Sequence, residues 1–119
     1  MPRYVDGFLI PIRKSKVPAY RKLARKAGRI WRELGALEYR ECVLNDQPKG
    51  LVRFASAARA RAGEVVLFSW IVYRSKAHRD RVNARVMKDP RIAAMNDPAL
   101  MPFDLKRMAY AGFEVLVDL

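Results

Sequence analysis

Residues Val65 to Tyr73 read VVLFSWIVY, apolar or aromatic at every position except Ser69. An extended chain alternates its side chains, so Val65, Leu67, Ser69, Ile71 and Tyr73 share one face. Val66, Phe68, Trp70 and Val72 share the other. Both faces of this strand favour burial. A two-layer domain covers one face of its sheet with helices and leaves the other to water. In a chain of 119 residues the simplest cover for the second face is another copy of the chain, so a homodimer is expected.

The rest of the chain supplies the other elements. Tyr4 to Ile12 reads as a first strand whose Tyr4, Phe8, Ile10 and Ile12 share a face with Asp6, and Pro11 suggests an edge position or a strand end. Ser15 to Pro18 opens a helix, and Tyr20, Leu23, Ala24, Ala27, Ile30, Trp31 and Leu34 recur at three- and four-residue spacing up to Gly35. Ala36 to Asn45 is a second strand, followed by a turn over Asp46 to Gly50. Leu51 to Gly63 permits only a short helix. Ser75 caps a second helix running to about Lys88, stopped by Asp89-Pro90, with one helical turn expected near Ala93. Lys106 to Asp118 reads as the last strand, with Gly112 as a bulge or bend. The order strand, helix, strand, strand, helix, strand gives an α+β, ferredoxin-like βαββαβ domain over residues 1–119. Its antiparallel sheet of four strands carries both helices on one face, and two such sheets face to face would form a dimeric α+β barrel.

Composition narrows the setting. There are 24 Lys and Arg against 12 Asp and Glu, a net charge of +12. Nine basic residues and no acidic one fall between Arg13 and Arg32, largely opposite the apolar stripe of the first helix. Such a surface gives sequence-blind, salt-sensitive affinity for polyanions, so any nucleic-acid binding is expected to be nonspecific. Arginine and alanine are both abundant, a bias that base composition alone can produce. Cys42 is the single cysteine, the N-terminus lacks the apolar core of a secretory signal, and no apolar run reaches the ~20 residues of a membrane span. A soluble cytoplasmic protein without membrane contact is expected.

A long ordered set of residues resembles the YbaA-like bacterial family: Tyr4-Val5-Asp6-Gly7-Phe8, Phe68-Ser69-Trp70-Ile71 with Tyr73, and Ser75-Lys76 followed by Arg79-Asp80 and Asn83. It continues through Asp89-Pro90-Arg91, Met101-Pro102-Phe103-Asp104, Lys106-Arg107-Met108, Tyr110 and Gly112-Phe113-Glu114. The family usually carries a second glycine where this chain has Ala111. The resemblance implies membership of a domain-of-unknown-function group within the dimeric α+β barrel superfamily, and hence a ferredoxin-like protomer and a dimer. It brings no catalytic residues. The wider superfamily includes cofactor-independent monooxygenases, haem-degrading enzymes and small lyases or isomerases.

Candidate site residues follow from chemistry. Asp6 and Glu41 each interrupt an apolar strand face, where a carboxylate needs a partner or a raised pKa. Arg79 and Arg107 are the natural partners, and Asp6, Glu41 and Arg107 are expected to form, in some combination, a buried or cleft-lining polar network where the strands meet the helices. That network is either a structural ion pair or part of a ligand site. Asp104 and Arg107 lie on a proline-bounded loop entering the last strand, where they either form a site or cap and tie the loop. Trp70 and Tyr110 are candidates to line a pocket between helices and sheet, against a plainer role as core or interface aromatics. His78 is the only histidine, so it builds no histidine metal cluster, and a packed imidazole is the plainer alternative to catalysis. No P-loop or dinucleotide glycine motif occurs, and no cofactor is expected. The leading expectation is a small organic ligand in the helix–sheet cleft. The alternatives are a cofactor-independent monooxygenase or isomerase and a nonspecific polyanion-binding dimer.

Overall fold

The two-sided apolar strand lies inside the sheet. In the computed structural model, which describes residues 1–119, the strands are β1 (Tyr4–Arg13), β2 (Glu38–Val43), β3 (Glu64–Tyr73) and β4 (Ala109–Glu114). They form one four-stranded sheet in the order β2-β3-β1-β4. Every pairing is antiparallel, and β3 pairs with β1 over its full length, from Tyr4↔Tyr73 to Arg13↔Glu64. The helices are α1 (Val17–Glu33), α2 (Phe54–Ala57), α3 (Lys76–Lys88) and α4 (Pro90–Met95). The architecture is the expected α+β, ferredoxin-like one.

Local chemistry explains the helix ends. Pro18 sits in the first turn of α1, where its missing N–H costs no bond, and Gly35 takes φ +124° just past the other end. Ser75 Oγ caps α3 by accepting the His78 N–H at 3.1 Å. Asp89 ends α3 and caps α4, its Oδ1 accepting the Arg91 N–H at 2.9 Å beside Pro90.

The helix face of the sheet carries the core. Ile30, Ala36, Ile71, Tyr73, Val82, Val86 and Ile92 form one buried cluster, and Ile10, Ile12, Tyr20, Ala24 and Leu67 a second. Burial of apolar area at roughly 25 cal/mol per Å² is the main drive holding α1 and α3 to the sheet. The second face is only partly covered by its own chain. Val66 is 1% exposed beneath the segment leading into α2, where Phe54 meets Phe68 edge-on at 6.0 Å. Phe68 and Phe113 on this face remain 44% and 57% exposed.

Several expected boundaries shift. Strand β2 is shorter than Ala36–Asn45, and α2 is a single turn. The last strand begins at Ala109 rather than Lys106, because Asp104 Oδ1 accepts the Lys106 N–H at 3.0 Å and turns Leu105–Arg107 into a 3-10 helix. No bulge occurs at Gly112: β4 pairs without interruption from Leu9↔Ala109 to Tyr4↔Glu114. The glycine makes room instead, since a Cβ there would come within 2.7 Å of Tyr4 Cε2. Pro11 lies on the interior strand β1, yet beyond Leu9, the last residue that β4 pairs, so one side of the strand is free there.

Candidate functional site

Between the helices and the sheet lies a cavity of about 350 Å³. Its walls are mostly apolar, from Phe8, Ile10 and Ile71 of the sheet, Leu23, Ala24, Ala27 and Trp31 of α1, and Met101, Phe103 and Met108 of the loop before β4. Strand parity decides which polar groups enter it. Asp6 on β1, Ser69 on β3, Tyr39 and Glu41 on β2 and Tyr110 on β4 all point to the helix side, and Asn83 closes the wall from α3.

The polar residues form two clusters. In the first, Tyr110 donates its hydroxyl proton to Asp6 Oδ1 at 3.1 Å and accepts from Arg79 Nη1 at 2.8 Å. Arg79 Nη1 lies 3.7 Å from Asp6 Oδ1, and Arg79 Nη2 donates to the Tyr4 hydroxyl at 3.3 Å. The guanidinium also stands 4.9 Å from the Tyr4 ring centroid, a cation–π contact. Its Nε is buried and has no acceptor: Asp80 Oδ1 is 3.3 Å away but off the bonding direction. Asp6 is 1% exposed. Burial pushes its carboxyl above the ordinary value, while the Arg79 charge and the hydrogen bond from Tyr110 oppose that rise.

In the second cluster, Tyr20 of α1 donates to Glu41 Oε1 at 2.7 Å and Tyr39 donates to Glu41 Oε2 at 2.6 Å. Burial pushes both phenols far above their ordinary range, and the Glu41 charge adds to the effect. Both remain hydrogen-bond donors at any physiological pH, so they hold Glu41 in one orientation. Asn83 Oδ1 links the layers, accepting from Tyr73 at 3.3 Å and Trp31 Nε1 at 3.4 Å. A dry wall with two oriented carboxylates can fix a ligand's polar groups and exchange protons with it.

The expected network with Arg107 does not form. Arg107 donates from both terminal nitrogens to Glu64, at 2.7 and 2.8 Å, and to the Arg59 carbonyl at 3.0 Å. The 3-10 turn before β4 carries it to the start of β3, at the other end of β1 from Asp6. Asp104 is exposed and spends Oδ1 on its cap. Trp70 lies on the opposite sheet face, 5.6 Å from Phe68, and does not line the cavity. His78 is buried outside the cavity: its Nδ1 accepts the Arg74 N–H at 2.9 Å and its ring packs edge-on against Tyr73 at 6.0 Å. Burial, with Arg74, Arg81 and Arg85 nearby, pushes its pKa down, leaving a packed neutral imidazole. Of the seven candidates, Asp6, Glu41 and Tyr110 line the cavity. Tyr20, Tyr39 and Asn83 line it as well. Their signal was a phenol or amide on a face otherwise reserved for the core. No group of three or more His, Cys, Asp or Glu residues is close enough to hold a metal ion.

Comparison with known proteins gives a matching fold and family. A dimeric ferredoxin-like protein from an uncultured marine organism superimposes with a TM-score of 0.63 at 9% identity, covering all of both chains. An uncharacterized NIPSNAP domain protein from Burkholderia xenovorans gives 0.59 at 19% identity over 92% of this chain and 91% of its own. At these identities the likeness establishes the fold alone. In sequence, the chain is 45% identical over 117 residues to the uncharacterized protein YbaA of Escherichia coli K12, covering 98% of each, and equally to that of Shigella flexneri. Residues 3–105 match the family described as "Protein of unknown function (DUF1428)", and the chain belongs to that family.

Proposed function

We propose that this protein binds a small, largely apolar organic molecule in the helix–sheet cavity. One observation carries the reading. A mostly apolar cavity of about 350 Å³ carries two carboxylates in its wall, half-buried Glu41 held by two tyrosine hydroxyls and buried Asp6 held by Tyr110 and Arg79. Carboxylates oriented by neighbouring hydroxyls in an otherwise apolar wall are the few convergent polar groups that ligand pockets use to fix a bound molecule. A titration with the neutral fluorophore N-phenyl-1-naphthylamine tests it. Saturable binding in wild type, weakened in a folded cavity-filling Ala27→Phe variant, is the expected result. Absence of saturable binding would overturn the reading.

Asp6 favours a second, enzymatic reading. Cofactor-independent oxygenation and isomerisation both begin by taking a proton from the bound molecule, and burial raises the pKa of Asp6 towards that of a useful base. Ligand C–H exchange in heavy water, lost in Asp6→Asn, is the matching signature.

The same proposal includes a homodimer formed through the second sheet face. The exposed aromatics Phe68 and Phe113, with Trp70 between strand neighbours, supply an apolar patch of the kind that marks interfaces. The marine structural neighbour is described as dimeric. We assign the protein to the cytoplasm because Cys42, its single cysteine, is exposed and unpaired. No helix is long and apolar enough to cross a membrane.

A further inference from the structure

Glu41 stands where the cavity meets a basic groove. Along α1, Arg21, Arg25, Arg29 and Arg32 line a groove of about 740 Å³ between the helix and the free edge of β2. None of the four forms an ion pair. The two acidic residues lining the groove are already engaged: Glu33 by Arg91 at 3.0 Å, and Glu41 by the two phenols. Tyr20, Ala24, Tyr39 and Glu41 line both the groove and the cavity. An apolar chamber therefore adjoins a trough of uncompensated guanidinium groups, with two tyrosines and a glutamate as the partition.

We propose that the cavity ligand is an amphipathic organic anion, with an acyl or aryl tail in the cavity and a carboxylate or phosphate head on the arginine groove. The inference rests on the reading of the cavity as a ligand site. Two features support it. Guanidinium groups present paired donors that match carboxylate and phosphate oxygens, a geometry that lysines do not offer. Arg21, Arg25, Arg29 and Arg32 follow one another at three- or four-residue spacing over about 16 Å of helix, so neighbouring arginines along the trough lie one helical turn apart. Lys22 and Lys26 belong to the same helix and are exposed, but do not line the groove, so position rather than total charge separates the two sets.

The test compares octanoate, octyl phosphate, 1-octanol and octylamine, which share a tail and differ in the head, by calorimetry at pH 7 and low salt. Octanoate or octyl phosphate should bind roughly tenfold tighter than octanol, as expected for two or three exposed charge contacts, and octylamine should bind weakest. Whichever anion binds tighter identifies the head. The advantage should vanish in Arg25→Gln/Arg29→Gln and persist in Lys22→Gln/Lys26→Gln, which removes the same charge outside the groove. Equal binding of octanol and the anions would overturn this inference while leaving the cavity as a ligand site. Preference for octylamine would also overturn it and make Glu41 the recognition group. Failure of all four probes would remove the ligand-site reading together with this one. Tight binding of a short single-stranded oligonucleotide, with no anion preference among the octyl probes, would assign the stripe to a polyanion and overturn the proposal.

Discussion

Gly28 of α1 rests against the ring of Tyr39: a Cβ on the glycine would come within 2.6 Å of Tyr39 Cδ1. Helix and edge strand approach this closely because one of the two residues has no side chain, and the contact fixes the ring whose hydroxyl holds Glu41. Gly28→Ala must displace Tyr39. It should cost about 1–3 kcal/mol, the usual cost of overpacking, and weaken probe binding in the cavity. Chemical denaturation beside a fluorophore titration reads both effects. Unchanged stability would show that the ring moves freely.

Arg107 and Glu64 tie the loop before β4 to the start of β3. Its hydrogen bonds with Arg107 hold the Glu64 carboxyl down at about 2, against an ordinary 4.5. A depressed folded-state pKa means that the pair's stabilisation is complete above pH 4.5 and is lost as pH falls through 2. The stabilities of wild type and Glu64→Gln in thermal melts should therefore converge as pH falls through that window, because only wild type loses the pair's contribution. Arg107→Ala should lower stability at neutral pH and leave ligand affinity unchanged, because Arg107 lies outside the cavity. A loss of affinity at unchanged stability would contradict that placement.

Asp6 has the opposite sign. Its pKa is raised above 3.8 by burial, so the folded state holds the proton more tightly than the unfolded chain does. Asp6 therefore favours folding below pH 3.8, and that contribution declines as pH rises through its folded-state titration. On a Glu64→Gln background, Asp6→Asn should remove this decline. Parallel stability–pH curves for the single and double variants would refute it.

Arg79 is the charged partner of Asp6 and is itself mostly buried. Arg79→Ala should cost about 3–5 kcal/mol, the usual effect of orphaning a buried charge, unless Asp6 is also changed. The double variant Asp6→Asn/Arg79→Ala should recover part of the loss in a denaturant titration. Strict additivity would show that the two residues are not coupled.

Phe68 probes the second sheet face. Phe68→Asp should shift the sedimentation coefficient from dimer to monomer while circular dichroism remains that of a folded chain, because the side chain is already 44% exposed in the protomer. A wild type that sediments as a monomer at micromolar concentration would remove the dimer. In filter binding, Arg21→Glu/Arg25→Glu/Arg29→Glu should abolish any nucleic-acid retention without altering the oligomer. Retention that persists at high salt with sequence preference would contradict the nonspecific account.

The order of the main strands and helices, and which face most of their side chains take, can be read from the chain. Period two in Val65–Tyr73, period 3.6 in α1 and the Ser75 and Asp89-Pro90 signals mark local geometry that neighbouring residues impose. Asp6 and Glu41 were legible for the same reason, as charges on faces reserved for the core. Their partners were not. Parity shows that Glu41 faces the helices but not that Tyr20, 21 residues earlier, reaches its Oε1. Likewise, nothing local brings Arg107 to Glu64, 43 residues away, rather than to Asp6. Those pairings depend on how far α1 slides over β2 and where the loop after α4 rejoins the sheet. Packing against distant elements fixes the position of a whole helix or loop, whereas sequence periodicity fixes only its orientation.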